Sequence, residues 1–194
     1  MAKLSTLTRR FAASTRGLAA VEFAMIVPVL LVMLLSTFDA GQGIAVYMKV
    51  RAATFTLGSI TNQYTTGSNG ISTTDMTAIT GSTAAVLAPF SGTPVVATIT
   101  QVQATSLTAA TVSWSYSLNG TAYTTGASWT LPTQFTSSNA CNSFPCYYIY
   151  AQVSYTYTPM FSSFLTGPIT LADNVYVTPR SSVCIQYNSV PSSC

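Results

Sequence analysis

Few residues of this 194-residue chain have types and spacing that invite chemistry. The first is Glu22, a carboxylate set among apolar residues, five positions after Gly17, which closes a basic leader holding Lys3, Arg9, Arg10 and Arg16. An acid at mid-bilayer costs about 2.5 to 3.5 kcal/mol, less near the interface, and such residues usually mark a function. The plainer reading is a glutamate whose head reaches back to the lipid headgroups. The others are Cys141, Cys146, Cys184 and Cys194. The chain has no histidine, so neither a Ser-His nor a Cys-His dyad is available, and the acids beyond the apolar run, Asp39, Asp75 and Asp173, are scattered. The sequence therefore reads as non-enzymatic, with no catalytic residue and no cofactor.

The element that must position Glu22 is an apolar run from Leu18 to Phe38, 21 residues in which Glu22 is the only formal charge. As a helix it would span roughly 31 Å, the thickness of a bilayer core. The four cations of the leader outnumber Lys49 and Arg51 on the far side, which keeps residues 1–17 cytoplasmic and sends the remainder outward. A cleaved secretory signal fits poorly, because the best small-residue site, Phe38-Asp39-Ala40, has a bulky residue where a small one is wanted. The formal net charge of +3 divides into +4 on the leader and −1 elsewhere, where Lys49, Arg51 and Arg180 face Glu22, Asp39, Asp75 and Asp173. The basic charge thus belongs to a leader, and no nucleic-acid partner is expected.

The expected fold class is α+β: a transmembrane helix over 18–40, an amphipathic stalk helix over 41–64, and a small antiparallel β-rich domain. Pro28 cannot donate to the carbonyl of Ala24 and is expected to kink the membrane helix. Gly41-Gln42-Gly43 reads as a flexible joint. In the stalk, Ile44, Tyr47, Met48, Arg51 and Phe55 recur at spacings of three and four, and this face is expected to pack on the chain's own sheet. Residues 65–92, rich in Thr, Ser, Gly and Ala, read as a linker or irregular region.

Residues 93–194 read as the β-rich domain. Val112, Trp114, Tyr116 and Leu118 alternate with small polar residues up to Asn119-Gly120, a hairpin signal that would set Tyr123 opposite Tyr116. Further strands are expected through Tyr147, Ile149, Ala151, Val153 and Tyr155, and through Ile169, Leu171, Val175 and Val177. The tyrosines here read as sheet core rather than as an adhesive surface. Four cysteines allow three connectivities. Short loops containing proline and polar turn residues favour Cys141 with Cys146 and Cys184 with Cys194, with a four-thiolate zinc site as the alternative.

The stretch Arg16 to Pro28 resembles the processing site of type IV prepilins, and in particular TadE-like proteins of the Tad (tight adherence, type IVb) pilus system: a basic leader, Gly17, then Glu22-Phe23 and a leucine-rich run. The pattern from Val153 to Phe161, with Ile169-Thr170-Leu171 and Pro179-Arg180, is similar to the C-terminal part of TadE and TadG proteins. The resemblance implies a minor pilin or pseudopilin of the bacterial inner membrane, with its C-terminal domain periplasmic. It implies cutting by a prepilin peptidase between Gly17 and Leu18, with Phe23 in the recognised motif. The new Leu18 amine and Glu22 would then stand on one helix face and pair, within a subunit or between subunits. The implied partners are the peptidase, the major pilin and other minor pilins, the inner-membrane assembly platform and the lipid bilayer. The competing reading is an uncleaved, membrane-tethered binding module or adhesin.

Overall fold

The computed structural model describes residues 16–64, 70–90, 95–135, 141, 143–161 and 163–191. A helix, α1 (Arg16–Asn62), opens them and is followed by α2 (Thr73–Leu87), β1 (Val96–Ala104), β2 (Ala110–Leu118), β3 (Ser128–Trp129), β4 (Cys146–Tyr157), the short α3 (Ser163–Thr166) and β5 (Ile169–Val177). The strands form one antiparallel sheet in the order β3-β2-β1-β4-β5. The class is α+β, as the sequence implies.

At 47 residues α1 runs for about 70 Å. It is a single helix. The expected division into a membrane helix, a Gly41-Gln42-Gly43 joint and a stalk is not seen as a break, and the helix continues through Pro28. Its N-terminal half is exposed, whereas its C-terminal half lies against β4 and β5 on one side and α2 on another. The buried stripe is Val46, Val50, Ala53, Thr54, Leu57, Gly58 and Thr61. This corrects the expected packing face, because Ile44, Tyr47, Met48, Arg51 and Phe55 all point away from the sheet. The physical reason is proximity. A β-carbon placed on Gly58 would lie 3.2 Å from Val175 and 3.6 Å from Ala151, so the helix–sheet gap accepts only small residues there. Thr54 and Thr61 enter the buried face because their hydroxyls donate to the carbonyls of Val50 (2.9 Å) and Leu57 (2.8 Å), so both hydroxyls are paired where they are buried.

The expected linker at 65–92 is also corrected, since residues 73–87 form α2. Its start is a capping box: the Ser72 hydroxyl accepts from the Asp75 backbone N–H, and Asp75 accepts in return from the Ser72 N–H. Met76, Ile79, Thr80, Thr83 and Leu87 then bury at helical spacing. Two hydrogen bonds tie the chain before α2 to the C-terminal segment, Ile71 N–H to Gln186 O (2.8 Å) and Asn188 N–H to Ile71 O (3.1 Å).

The sheet's inner face supplies Ala97, Ile99, Trp114, Ile149, Ala151, Val153 and Tyr155 to the core under α1 and α2. Its outer face carries a second cluster of Val102, Ala104, Ala110 and Tyr148, covered by Trp129, Leu131, Phe135 and Tyr176. The alternating strands expected around Trp114, Ile149 and Leu171 are present as β2, β4 and β5. The expected tight Asn119-Gly120 hairpin, with Tyr123 opposite Tyr116, is not, although the chain turns there and comes back along β2 to β3. The Asn119 side chain donates to the Val95 carbonyl (2.9 Å), the Tyr123 N–H reaches only the Ser115 hydroxyl (3.1 Å), and backbone pairing with β2 begins at Gly126 and Ala127, which both bond Val112, and continues into β3. β1 lies on the other edge of β2 and does not compete for this one; the ladder is interrupted by a second turn, in which the Ala127 N–H donates to the Thr124 carbonyl (3.1 Å) and Gly126 takes a positive φ of 82°. Tyr123 instead packs edge-on against Trp129, with ring centroids 4.9 Å apart.

Candidate functional site

The residues singled out in the sequence occupy the exposed half of α1. Gly17 is its second residue, and a β-carbon there would meet nothing within 4 Å. Leu18 and Glu22 stand four residues apart, on one helix face, and both are exposed, as is Phe23 one position on. All are exposed, and none of them packs on the folded domain among the described residues. Lys3, Arg9 and Arg10 lie outside the described residues. The helix carrying Gly17, Leu18, Glu22 and Phe23 has a mean hydropathy of 2.6 in its most apolar window, none of which is buried, and is long and apolar enough to cross a membrane. One N-terminal helix of this kind is compatible with a single-pass membrane protein.

Residues 17–56 match the TadE-like protein family. The TadE-like segment thus takes in the Gly17-to-Glu22 junction, the whole apolar run and the first part of the helix packed on the sheet, and it ends inside α1. No curated protein and no solved structure matches the chain.

Where the apolar run ends, the TadE-like segment is fastened to the domain by a residue that sequence reasoning passed over. Asp39 is 4% exposed, and its two carboxylate oxygens accept from consecutive backbone N–H groups, Met160 at 3.2 Å and Phe161 at 3.0 Å. Its carbonyl accepts from the Tyr157 hydroxyl at 3.4 Å. Phe38 and Phe161 pack edge to face with centroids 5.8 Å apart. Helix and β4–β5 connection are therefore locked together at the exit from the apolar run. Burial, with the neighbouring Asp39 carboxylate and Tyr155 adding to it, pushes the Tyr157 hydroxyl above the usual tyrosine value. The available signal was the one used for Glu22, an acid at the edge of an apolar run that needs a partner.

At the opposite end of β4, Cys141 and Cys146 are disulfide-bonded, with a Cα separation of 6.2 Å, as expected. The bond removes both sulfurs from the four-thiolate zinc alternative. Cys184 is also in a disulfide, while Cys194, its expected partner, lies outside the described residues. Just beyond Cys184 the chain is held by two buried side chains on neighbouring strands. Trp114 Nε1–H donates to the Ile185 carbonyl, and the Ile185 N–H donates to Gln101 Oε1, both at 2.7 Å. On the outer face Tyr150 lies among Trp129, Tyr176 and Tyr123. Burial first, then Tyr123 and Tyr176, raises its hydroxyl to about 12.

Proposed function

We propose that this protein is a minor pilin or pseudopilin of a Tad pilus, held in the bacterial inner membrane by the first half of α1 with its sheet domain in the periplasm. The observation that carries the reading is the TadE-like match over residues 17–56, which coincides with a helix whose apolar half is wholly unburied by its own chain. A prepilin peptidase cuts between Gly17 and Leu18 at the cytoplasmic face, and the liberated Leu18 amine pairs with Glu22, on its own helix or on a neighbour. In a low-dielectric setting each charge needs the other, because an unpartnered buried charge costs several kcal/mol. The role is structural: the protein takes part in initiating or assembling the filament for adherence or secretion, alongside the major pilin, other minor pilins and the assembly platform.

The deciding experiment is the mature N-terminal sequence of protein taken from native membranes, beside Gly17→Val. Leu18 as first residue supports processing, and Gly17→Val should accumulate at full length. Since a β-carbon at Gly17 meets nothing within 4 Å among the described residues, that block would report the peptidase and not misfolding of the sheet domain. Wild-type protein beginning at Met1 or Ala2 beside an active peptidase would refute the reading and favour an uncleaved tethered binding module.

A further inference from the structure

The β4–β5 connection leaves two large apolar side chains in the open at the point where the apolar run of α1 ends. Met160 is 76% exposed and Phe161 41% exposed. Their level along α1 is fixed by the Asp39 carboxylate, which holds both of their backbone N–H groups, and by the Phe161 ring against Phe38, the last residue of the run. If the run from Leu18 to Phe38 fills the hydrocarbon core, the level of Phe38 and Asp39 is the boundary between acyl chains and headgroups. No charged residue occurs from Thr156 to Ala172, so nothing in this connection resists that boundary. The one acid at this level, Asp39, is buried and satisfied by peptide N–H groups, not turned toward lipid.

We propose that the β4–β5 connection is a second membrane contact, with Met160 and Phe161 seated in the outer headgroup–acyl boundary of the bilayer that α1 crosses. The inference rests on the membrane placement of α1 proposed above. The occupant is lipid rather than a second protein because the patch continues the apolar run at its own edge through the Phe38–Phe161 contact. With two contacts, the helix and the connection, the sheet domain stands at a set height and rotation over the membrane instead of swivelling on one rod. Extraction of the protein into a filament would then have to free the connection as well as the helix.

The test uses the full-length chain in phosphatidylcholine vesicles whose acyl chains carry bromine, a short-range quencher of tryptophan. Single additions Met160→Trp and Phe161→Trp are compared with Val32→Trp inside the apolar run and with Val183→Trp, an exposed position near the far end of β4, after subtracting the emission of Trp114 and Trp129. Both loop positions should lose at least about half of their added emission relative to vesicles without bromine, as should Val32→Trp, while Val183→Trp keeps its own. Quenching at Val32→Trp with none at Met160→Trp or Phe161→Trp would put the connection against water or another protein and overturn the proposal. Absence of quenching at Val32→Trp as well would remove the membrane placement of α1 itself, and the second contact with it.

Discussion

Replacing Asp39 by alanine should release the β4–β5 connection from α1 while leaving the sheet intact. The side chain makes two hydrogen bonds as a charged acceptor, at 3.2 and 3.0 Å, from a position only 4% exposed. Hydrogen bonds to a charged group contribute about 1.5 to 3 kcal/mol each. One carboxylate serves both donors, and the freed N–H groups can turn to water, so a combined loss of about 2 to 4 kcal/mol is the reasonable range. At about 1.4 kcal/mol per factor of ten, opening of the connection becomes roughly 30 to 700 times more frequent. Hydrogen exchange of the Met160 and Phe161 amides in membrane-mimetic particles reads this directly, since local opening governs their protection. Asp39→Asn is the informative companion. It keeps the volume and one acceptor, but turns an NH2 toward a donor, and should fall between wild type and Asp39→Ala. Unchanged protection of both amides in Asp39→Ala would refute the clamp, whatever happened to overall stability.

Gly58→Leu should force α1 away from β5 and lower stability by about 1 to 3 kcal/mol, seen as an earlier denaturant midpoint. Gln101→Ala leaves the Ile185 N–H without its partner in a buried site and should cost about 1 to 3 kcal/mol by the same measurement, with exchange accelerated around Ile185. Because the Tyr150 hydroxyl is raised from 10.0 to about 12 in the folded state, its contribution to stability is complete below pH 10 and declines as pH rises from there through 12. Phenolate absorbance should show a late-titrating group that Tyr150→Phe removes. Glu22→Gln should still be cut and still enter the membrane, yet fail to co-purify with the major pilin and assembly platform; recovery equal to wild type would rule out the charge-pairing role.

The chain of α1 from Gly17 to Phe38 could be read from the sequence because its determinants are local: unbroken apolar composition, one acid, and a basic leader whose charge needs no folded context. The strands around Trp114, Ile149 and Leu171 were legible for the same reason, since alternation records which neighbours face a core. What lay beyond the sequence was which face of α1 is buried. Large apolar residues at helical spacing point to Ile44, Tyr47, Met48 and Phe55, whereas the face that is buried is Val46, Val50, Ala53, Thr54, Leu57 and Gly58, where at Gly58 the sheet comes so close that only a small residue fits. Threonine counts as polar in a pattern, but becomes a core residue once its hydroxyl donates to the carbonyl four residues back. The same composition disguised α2, although Ser72 and Asp75 carried its capping signal in plain view. Asp39 shows the limit most clearly. Its partners are peptide N–H groups more than a hundred residues away, with no side-chain identity to betray them, and only the return of β4 to the exit of the apolar run brings them within hydrogen-bonding distance.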